Sequence, residues 1–152
     1  MATLEEITAQ LTRLMRAKTG DAGASVREVT PLPGHAGFGY SFVLARTTAG
    51  GARGKHVVRV APEGTRIAGP ADVERQGRIM RSLANTEVPV PPILWLGSEP
   101  EFFGRPYFVG GFVEGFRLAD QPPISREEGR ALFRAMVATL AALHREIGRA
   151  HV

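Results

Sequence analysis

Three stretches in the first half of the sequence have strand character and are joined by links too short for parallel pairing. They cover residues 26–32, 40–46 and 55–61. The linking segments, 33–39 and 47–54, are rich in small residues and hold no helical pattern. Parallel neighbours need a crossover of about a dozen residues or more, which usually contains a helix. The sequence therefore predicts an antiparallel meander.

The first link has glycines at Gly34, Gly37 and Gly39, and the third strand ends with a cation, Arg59. Glycines allow backbone N–H groups to approach phosphate oxygens, and a cation on a buried strand can neutralise them. The pattern indicates a cradle for nucleotide phosphates. The glycines do not form G-x-G-x-x-G, and no Lys-Ser or Lys-Thr follows them, so a glycine-rich hairpin turn is an equal alternative.

Five further elements complete an α+β fold with a five-stranded antiparallel sheet. They are helices over 3–18 and 71–84, strands over 93–96 and 106–113, and a last helix that begins after Ser125. Thr3 with Glu6, and Ser125 with Glu128, have the spacing of capping boxes at helix starts. The last helix has an apolar face, Leu132 to Leu143, that is too long for the remaining elements to cover.

Two features inside these elements have more than one explanation. Gln76 is a polar residue on the apolar stripe of its helix, so its amide either meets a ligand or caps backbone groups. Gly110 and Gly111 interrupt the fifth strand, where glycines indicate a bend or the close approach of another group, such as a ligand.

Composition excludes several classes of function. The sequence has no cysteine, and its four histidines lack the spacing of metal ligands, so no metal site is expected. No apolar run is long enough for a membrane span and no signal peptide is present, which predicts a cytoplasmic protein without membrane contact. The net charge is +4, but the arginines are spread along the chain, so nucleic acid is not an expected partner.

The order of these elements resembles the N-lobe of protein kinases and, more narrowly, the aminoglycoside phosphotransferase family. The similarity is strongest to the phosphotransferase domains fused to acyl-CoA dehydrogenases. The segments that carry it are Gly37 to Leu44, HVVRVAPEG at 56–64, DVERQGRIMRSLANTEVPVP at 72–91, PYFVGGFVEG at 106–115 and ATLAALH at 138–144.

The resemblance implies cofactor-binding roles for nine residues. These are Gly34, Gly37, Phe38 and Gly39 in a loop over the phosphates, Arg59 as the phosphate-binding cation, Gln76 on the helix, and Gly110, Gly111 and Phe112 at the hinge beside adenine. Gln76 stands where the family carries a Glu that pairs with the cation, so any contact here is an ion–dipole hydrogen bond. Glu74 lies roughly 200° around the helix and should point away.

The same resemblance implies a parent enzyme that uses ATP or GTP with Mg²⁺ to phosphorylate a small-molecule hydroxyl. Its His-Gly-Asp catalytic loop, downstream Asn and metal-binding Asp have no counterpart in this sequence. We therefore expect no catalytic residue here, no activity and no tight nucleotide binding. Residues 1–115 would form the N-lobe, and 116–145 the linker and first helix of a C-lobe that is the missing intramolecular partner.

Residues 146–152 are expected to be a non-native tail. Their sequence, EIGRAHV, is the translation of GAG ATC GGA AGA GCA CAC GTC, a short-read sequencing adapter that continues with a stop codon. The alternative is a natural helix end capped by Gly148. The competing hypothesis for the whole chain is a stand-alone, catalytically inactive binding module that docks a partner through Leu132 to Leu143. The acceptor cannot be read from these residues.

Overall fold

The computed structural model describes residues 3–32, 38–47, 52–62, 72–115, 120–121 and 123–149. The order of elements is α1 (Leu4–Thr19), β1 (Ser25–Pro31), β2 (Phe38–Ala45), β3 (Gly54–Val60), α2 (Val73–Ser82), β4 (Ile93–Gly97), β5 (Tyr107–Gly111) and α3 (Arg126–Arg149). The five strands form one antiparallel sheet in the order β1-β2-β3-β5-β4. The predicted α+β fold is confirmed, with boundaries within a few residues.

The sheet packs a helix on each face because successive residues of its strands point to opposite sides. The larger core joins α1 to one face and includes Leu11, Phe42, Val58 and Tyr107. The smaller core joins α2 to the other face through Val73, Ile93 and Phe108. The face beneath α2 is the one that carries the candidate site.

Both predicted capping boxes are present. The Thr3 hydroxyl accepts a hydrogen bond from the backbone N–H of Glu6, whose carboxylate accepts one from Thr3 N–H. Ser125 and Glu128 make the same reciprocal pair at the start of α3. Each box satisfies backbone donors that would otherwise lack partners in the first helical turn. At the other end, α3 continues through Gly148 to Arg149, so Gly148 does not cap the helix.

The end of α1 is fixed to the sheet by a buried carboxylate. Asp21 Oδ1 accepts a hydrogen bond from the Thr47 hydroxyl at 2.6 Å, and its Oδ2 accepts one from Thr47 N–H at 2.8 Å. Arg46 Nε lies 3.7 Å from Oδ2, and only 2% of the Asp21 side chain is exposed. A buried carboxylate with this many partners holds α1 against the end of β2.

A second ion pair attaches α1 to the turn between β4 and β5. Lys18 Nζ donates to Glu99 Oε1 at 2.6 Å, and the Tyr107 hydroxyl donates to Glu99 Oε2 at 2.8 Å. The hydrogen bond from Lys18 is the main cause that lowers the pKa of Glu99 to about 2. Glu99 therefore stays ionised, and the contact intact, throughout the neutral and mildly acidic range.

The glycine pair in β5 is explained by the close approach of the proline link. A Cβ atom at Gly111 would lie 2.9 Å from Pro92 Cγ, and one at Gly110 would lie 3.2 Å from the Pro92 carbonyl oxygen. The irregularity in the ladder falls on β4, between Ile93 and Trp95, opposite the glycines. The sequence left open a bend or the close approach of another group. At Gly111 that group is Pro92 of the same chain.

Replacing Gly111 with Ala should therefore destabilise the fold by about 1–2 kcal/mol, since the rigid Pro92 ring has to move. Gly115→Ala is the matched control, because nothing lies within 4 Å of a Cβ built there. Thermal denaturation of both variants checks this. A Gly111→Ala variant as stable as Gly115→Ala would show that the Pro92 contact imposes no constraint.

Stability should also fall as the solution becomes mildly acidic, because of His56. This side chain is 5% exposed and stacks on Phe42 at 5.6 Å between ring centroids. Burial lowers the pKa of His56 below its usual 6.5, and the nearby backbone of Arg53 and Gly110 opposes this less strongly. Below pH 6.5 the unfolded chain then binds more protons than the folded one, so the free energy of unfolding falls as the pH falls.

Urea denaturation at pH 7.5 and 5.5 measures this effect in the wild type and in His56→Phe, which keeps an aromatic ring. We expect the wild type to lose more stability than the variant between the two pH values. Glu99 does not contribute in this window, because its pKa in the folded chain, about 2, and its usual value of 4.5 both lie below pH 5.5. Equal losses of stability in both proteins would show that His56 has the same pKa in the folded and the unfolded chain.

None of the helices in the described part of the chain combines the length and apolar character needed to cross a membrane. The apolar side chains of α3 are largely exposed, with Phe133 at 66% and Met136 at 62%. Near its end the helix meets the rest of the chain, where Ala142 is buried and Arg145 pairs with Glu87 at 2.6 Å.

Candidate functional site

Arg59 projects from the face of β3 that lies beneath α2. His56, Val58 and Val60 are buried on the opposite face, and Val57 and Arg59 alternate with them. This strict period of two places the half-buried Arg59 side chain in the space between the sheet and α2. The buried residues on either side of Arg59 fix its position along the strand.

Gly39 lies beside Arg59 on the neighbouring strand. The two residues are paired in the register of β2 and β3, and a Cβ atom at Gly39 would lie 3.9 Å from Arg59 Cγ. The backbone N–H of Leu32 donates to the Gly39 carbonyl at 2.8 Å, which closes the base of the glycine-rich loop. Gly34 and Gly37 lie outside the described residues, as does the side chain of Phe38.

Gln76 faces the same space from α2. The helix starts at the N-cap Asp72, whose side chain accepts a hydrogen bond from Arg75 N–H, and Gln76 lies one turn further on. Glu74 pairs with Arg78 at 2.6 Å on the outer side of the helix, so it points away from Arg59 as expected. The amide of Gln76 is therefore the polar group that α2 presents to the cleft.

Gly77, next to Gln76, lets α2 pack closely on the sheet. A Cβ atom there would lie 3.1 Å from Phe108 Cβ and would also collide with the end of the Leu96 side chain. Close packing of the helix at this point brings Gln76 near the strand that carries Arg59. The sequence analysis did not single out Gly77, although a glycine inside a predicted helix indicates close packing.

The cleft between α2 and the sheet has a volume of about 620 Å³. Ligand pockets in proteins usually measure about 300–1,000 Å³. Its walls come from the segment after β1, from β3, α2, the proline link, the start of β4, and β5 with the residues that follow it. They consist of Leu32, Val57, Arg59, Gln76, Ile79, Met80, Pro91, Ile93, Phe108, Gly110, Gly111, Phe112 and Val113. Arg59 is the one charged residue in this described lining, and most of the other residues are apolar.

The backbone donors of the predicted hinge are partly used inside the fold. Gly111 N–H donates to the Pro92 carbonyl at 2.9 Å, and Phe112 N–H donates to the Lys55 carbonyl at 3.3 Å. The lining continues to Val113, which follows the end of β5 and has an exposed side chain. Sequence reasoning missed Val113 because it placed this residue inside the fifth strand, which ends at Gly111.

A second cation lies next to the cleft, against Phe112, but is not part of its lining. Lys55 Nζ lies 3.9 Å from the centroid of the Phe112 ring, a cation–π contact that restrains both side chains. Lys55 precedes Arg59 by four residues on the same strand, so the two residues are about 13 Å apart along it. The apolar middle of the cleft thus has Arg59 at one end and Lys55 outside the other.

Six of the nine predicted site residues can be placed around the cleft. Five of them line it directly, namely Arg59, Gln76, Gly110, Gly111 and Phe112, and Gly39 is the neighbour of Arg59 on β2. Phe38 begins β2, and the position of its side chain stays a prediction, as do those of Gly34 and Gly37. This arrangement can hold an apolar planar group in the middle and an anion at Arg59.

Two relatives are similar over the greater part of this chain. A protein of Arabidopsis thaliana named Probable acyl-CoA dehydrogenase IBR3 is 30% identical over 104 residues, which are 66% of this chain and 13% of the relative. The Acyl-CoA dehydrogenase family member 10 of Mus musculus is 32% identical over 90 residues, which are 58% of this chain and 8% of the relative. The chain thus spans a small part of each.

A solved structure shares the fold. The crystal structure of a candidate aminoglycoside phosphotransferase from Ralstonia eutropha JMP134 superimposes with a TM-score of 0.62 at 28% identity. The match covers 90% of this chain and 37% of that one. The five-stranded sheet and its helices therefore correspond to the kinase-like N-lobe of that protein, as the sequence predicts.

The pattern of residues that defines the phosphotransferase enzyme family matches residues 35–149. The matched part includes β2, β3, α2, β4, β5 and α3, and with them every described wall of the cleft except Leu32. Since the match covers most of the sequence, the chain belongs to the phosphotransferase enzyme family.

Proposed function

We propose that this chain is the nucleotide-binding, N-terminal part of a phosphotransferase that phosphorylates a hydroxyl group of a small molecule. The nucleoside triphosphate would lie in the cleft between α2 and the sheet, with its phosphates at Arg59 and its base in the apolar middle. The observation that carries this proposal is the half-buried Arg59 side chain, next to Gly39, in a cleft that is otherwise mostly apolar.

Arg59 suits the phosphate end because a guanidinium binds phosphate oxygens through charge-assisted hydrogen bonds. The loop that begins at Leu32 and returns at Gly39 would cover the phosphates from above. Gln76 would bond to Arg59 or to a phosphate oxygen through its amide. Because it carries no charge, it would hold Arg59 less firmly than a carboxylate would.

The base would be recognised by the backbone that follows β5. Since Gly111 N–H and Phe112 N–H already have acceptors at 2.9 and 3.3 Å, we assign the donor to the base to Val113 N–H. Val57 and Leu32 offer flat apolar contacts for the ring. These contacts fit adenine and guanine alike, so both ATP and GTP are proposed substrates.

The described residues contain no group of three His, Asp or Glu side chains that could hold a metal ion. We assign the magnesium ion and the catalytic base to a C-lobe of the proposed parent protein. We therefore expect this chain alone to be inactive and to bind nucleotide weakly, with a dissociation constant in the millimolar range.

The exposed face of α3 supports the proposal of a missing lobe. Phe133, Met136, Val137 and Leu140 are each about half exposed or more, whereas four apolar residues of α1 are buried, namely Ile7, Leu11, Leu14 and Met15. The chain also spans only 37% of the solved neighbour. We propose that the remainder of the phosphotransferase domain packs on this face in the parent protein.

Repeated sequencing of the gene, beyond the codon for residue 145, tests the proposal. A reading frame that continues past residue 145 into a His-Gly-Asp segment, in place of EIGRAHV, would support the truncated phosphotransferase. A confirmed stop codon after Val152 in the genome would contradict it and favour the second candidate, a stand-alone binding module that uses the apolar face of α3 as its docking surface.

A further inference from the structure

β4 forms one edge of the described sheet, and its residues do little to prevent further pairing. The strand, Ile93–Gly97, pairs with β5 on one side, and no described strand pairs with its other side. Edge strands are commonly protected from pairing with another chain by charged side chains, prolines or bulges. β4 contains neither charge nor proline, and its ladder with β5 is regular from Trp95 to Gly97. The described residues thus leave this edge open to an additional strand.

The opposite edge of the sheet, β1, has all three protecting features. It contains Arg27 and Glu28 and ends at Pro31. Its ladder with β2 is irregular between Arg27 and Thr30, where Glu28 has a φ of 55°. The contrast between the two edges indicates that β4 is the one suited to pair with a partner.

A groove of about 710 Å³ lies between the end of β4 and the outer side of α2. Its lining consists of Leu96 to Ser98 and of Glu74, Arg78, Arg81 and Ser82 on the helix. The helix residues follow one another at intervals of one to four positions and share one side of α2. The groove has no residue in common with the nucleotide cleft, so a ligand here would leave that cleft accessible.

The charges in this groove favour an anionic ligand. Arg78 pairs with Glu74 on its own helix, and an exposed pair of this kind is weak enough to exchange partners. Arg81, in the last turn of α2, is exposed and takes part in no ion pair within the described part of the chain. Two guanidinium groups against one carboxylate leave the groove positively charged, with Leu96 as its apolar contact.

We propose that β4 and this groove bind an extended, acidic peptide segment of a partner protein. The segment would add a sixth strand to the sheet through main-chain hydrogen bonds to β4. Because every second side chain of a strand points to the same face, acidic residues two positions apart would both face Arg78 and Arg81. A second copy of this chain suits the groove less well, because its own β4 carries no acidic residue.

Titrations of the ¹⁵N-labelled chain with synthetic peptides test this proposal. The probe alternates valine and glutamate and is about as long as β4. One control peptide has lysine in place of glutamate, and the other has N-methyl groups that remove its backbone donors. Trp95 is half-buried on β4 and is the single tryptophan of the sequence, so its fluorescence reports on this strand.

We expect the acidic peptide to change the Trp95 emission and to shift the amide resonances of residues 94–98. The lysine peptide should bind about tenfold more weakly because its charges meet those of the groove. The N-methylated peptide should not bind, since it cannot complete the ladder with β4. Equal binding of either control peptide, or shifts confined to residues outside 94–98, would overturn the proposal.

The double variant Arg78→Ala/Arg81→Ala should bind the acidic peptide about fivefold more weakly, the loss expected for two exposed ion pairs. Arg75→Ala is the matched control, because Arg75 is exposed on the same helix and lies outside the groove. Equal affinities in these two variants would overturn the role of the arginines. A dimer seen by analytical ultracentrifugation without peptide, with the same amide shifts on concentrating the chain, would overturn the acidic partner in favour of a second copy.

Discussion

Replacement of Asp21 with Ala is expected to destabilise the fold by about 3 kcal/mol, because it leaves the Arg46 cation without its neighbouring carboxylate and Thr47 N–H without its acceptor. The side chains of Asp21 and Arg46 are 2% and 10% exposed, and Thr47 gives both of its hydrogen-bond donors to this carboxylate. The midpoint of urea denaturation should fall by about 1 M or more.

The exposed pair Glu74–Arg78 provides the comparison. Its side chains are 43% and 72% exposed although its N···O distance, 2.6 Å, is shorter than the 3.7 Å between Arg46 and Asp21. Arg78→Ala should cost less than about 0.5 kcal/mol, since solvent screens an exposed pair. Similar losses in both variants would mean that burial does not determine the strength of these contacts.

In the proposed full-length phosphotransferase, Arg59→Ala should lower kcat/KM for the nucleotide by roughly 10- to 100-fold, the usual contribution of a charge-assisted hydrogen bond to a buried anion. The loss should appear as a higher KM for the nucleotide, as a lower kcat, or as both, with the KM for the acceptor little changed. Arg59→Lys should be more active than Arg59→Ala because it keeps the charge. It should be less active than the unmodified enzyme because it loses the planar donor pair.

Arg75→Ala is the matched control for this measurement, because it removes an arginine from the exposed side of α2. Arg75→Ala should leave kcat and KM for the nucleotide close to those of the unmodified protein. Steady-state constants in Arg59→Ala that equal those of Arg75→Ala would remove Arg59 from the nucleotide site.

The sequence predicted the sheet because its strands are short, alternate in polarity and are joined by short links. It also placed Arg59 and Gln76 in one site, since both lie on matched segments whose order is that of the family. These features are local or follow from the order of the elements. They do not depend on how distant segments pack.

What the sequence could not predict depends on contacts between distant segments. The glycine pair of β5 was open to several explanations until Pro92 was seen against Gly111. β5 ends at Gly111, and the proposed role of Val113 follows from that end. Both depend on which backbone N–H groups have partners in other segments. The Asp21 network joins residues 26 positions apart that share no sequence motif.

The most direct test of the nucleotide site is an NMR titration of the ¹⁵N-labelled chain with ATP, repeated on Arg59→Ala. The site predicts shifts of the amide resonances of Gly39, Arg59 and Val113 at millimolar ATP, and an affinity at least several-fold lower in the variant. Shifts confined to other residues, or equal affinities for ATP in the two proteins, would contradict the assignment of Arg59 as the phosphate-binding residue of this cleft.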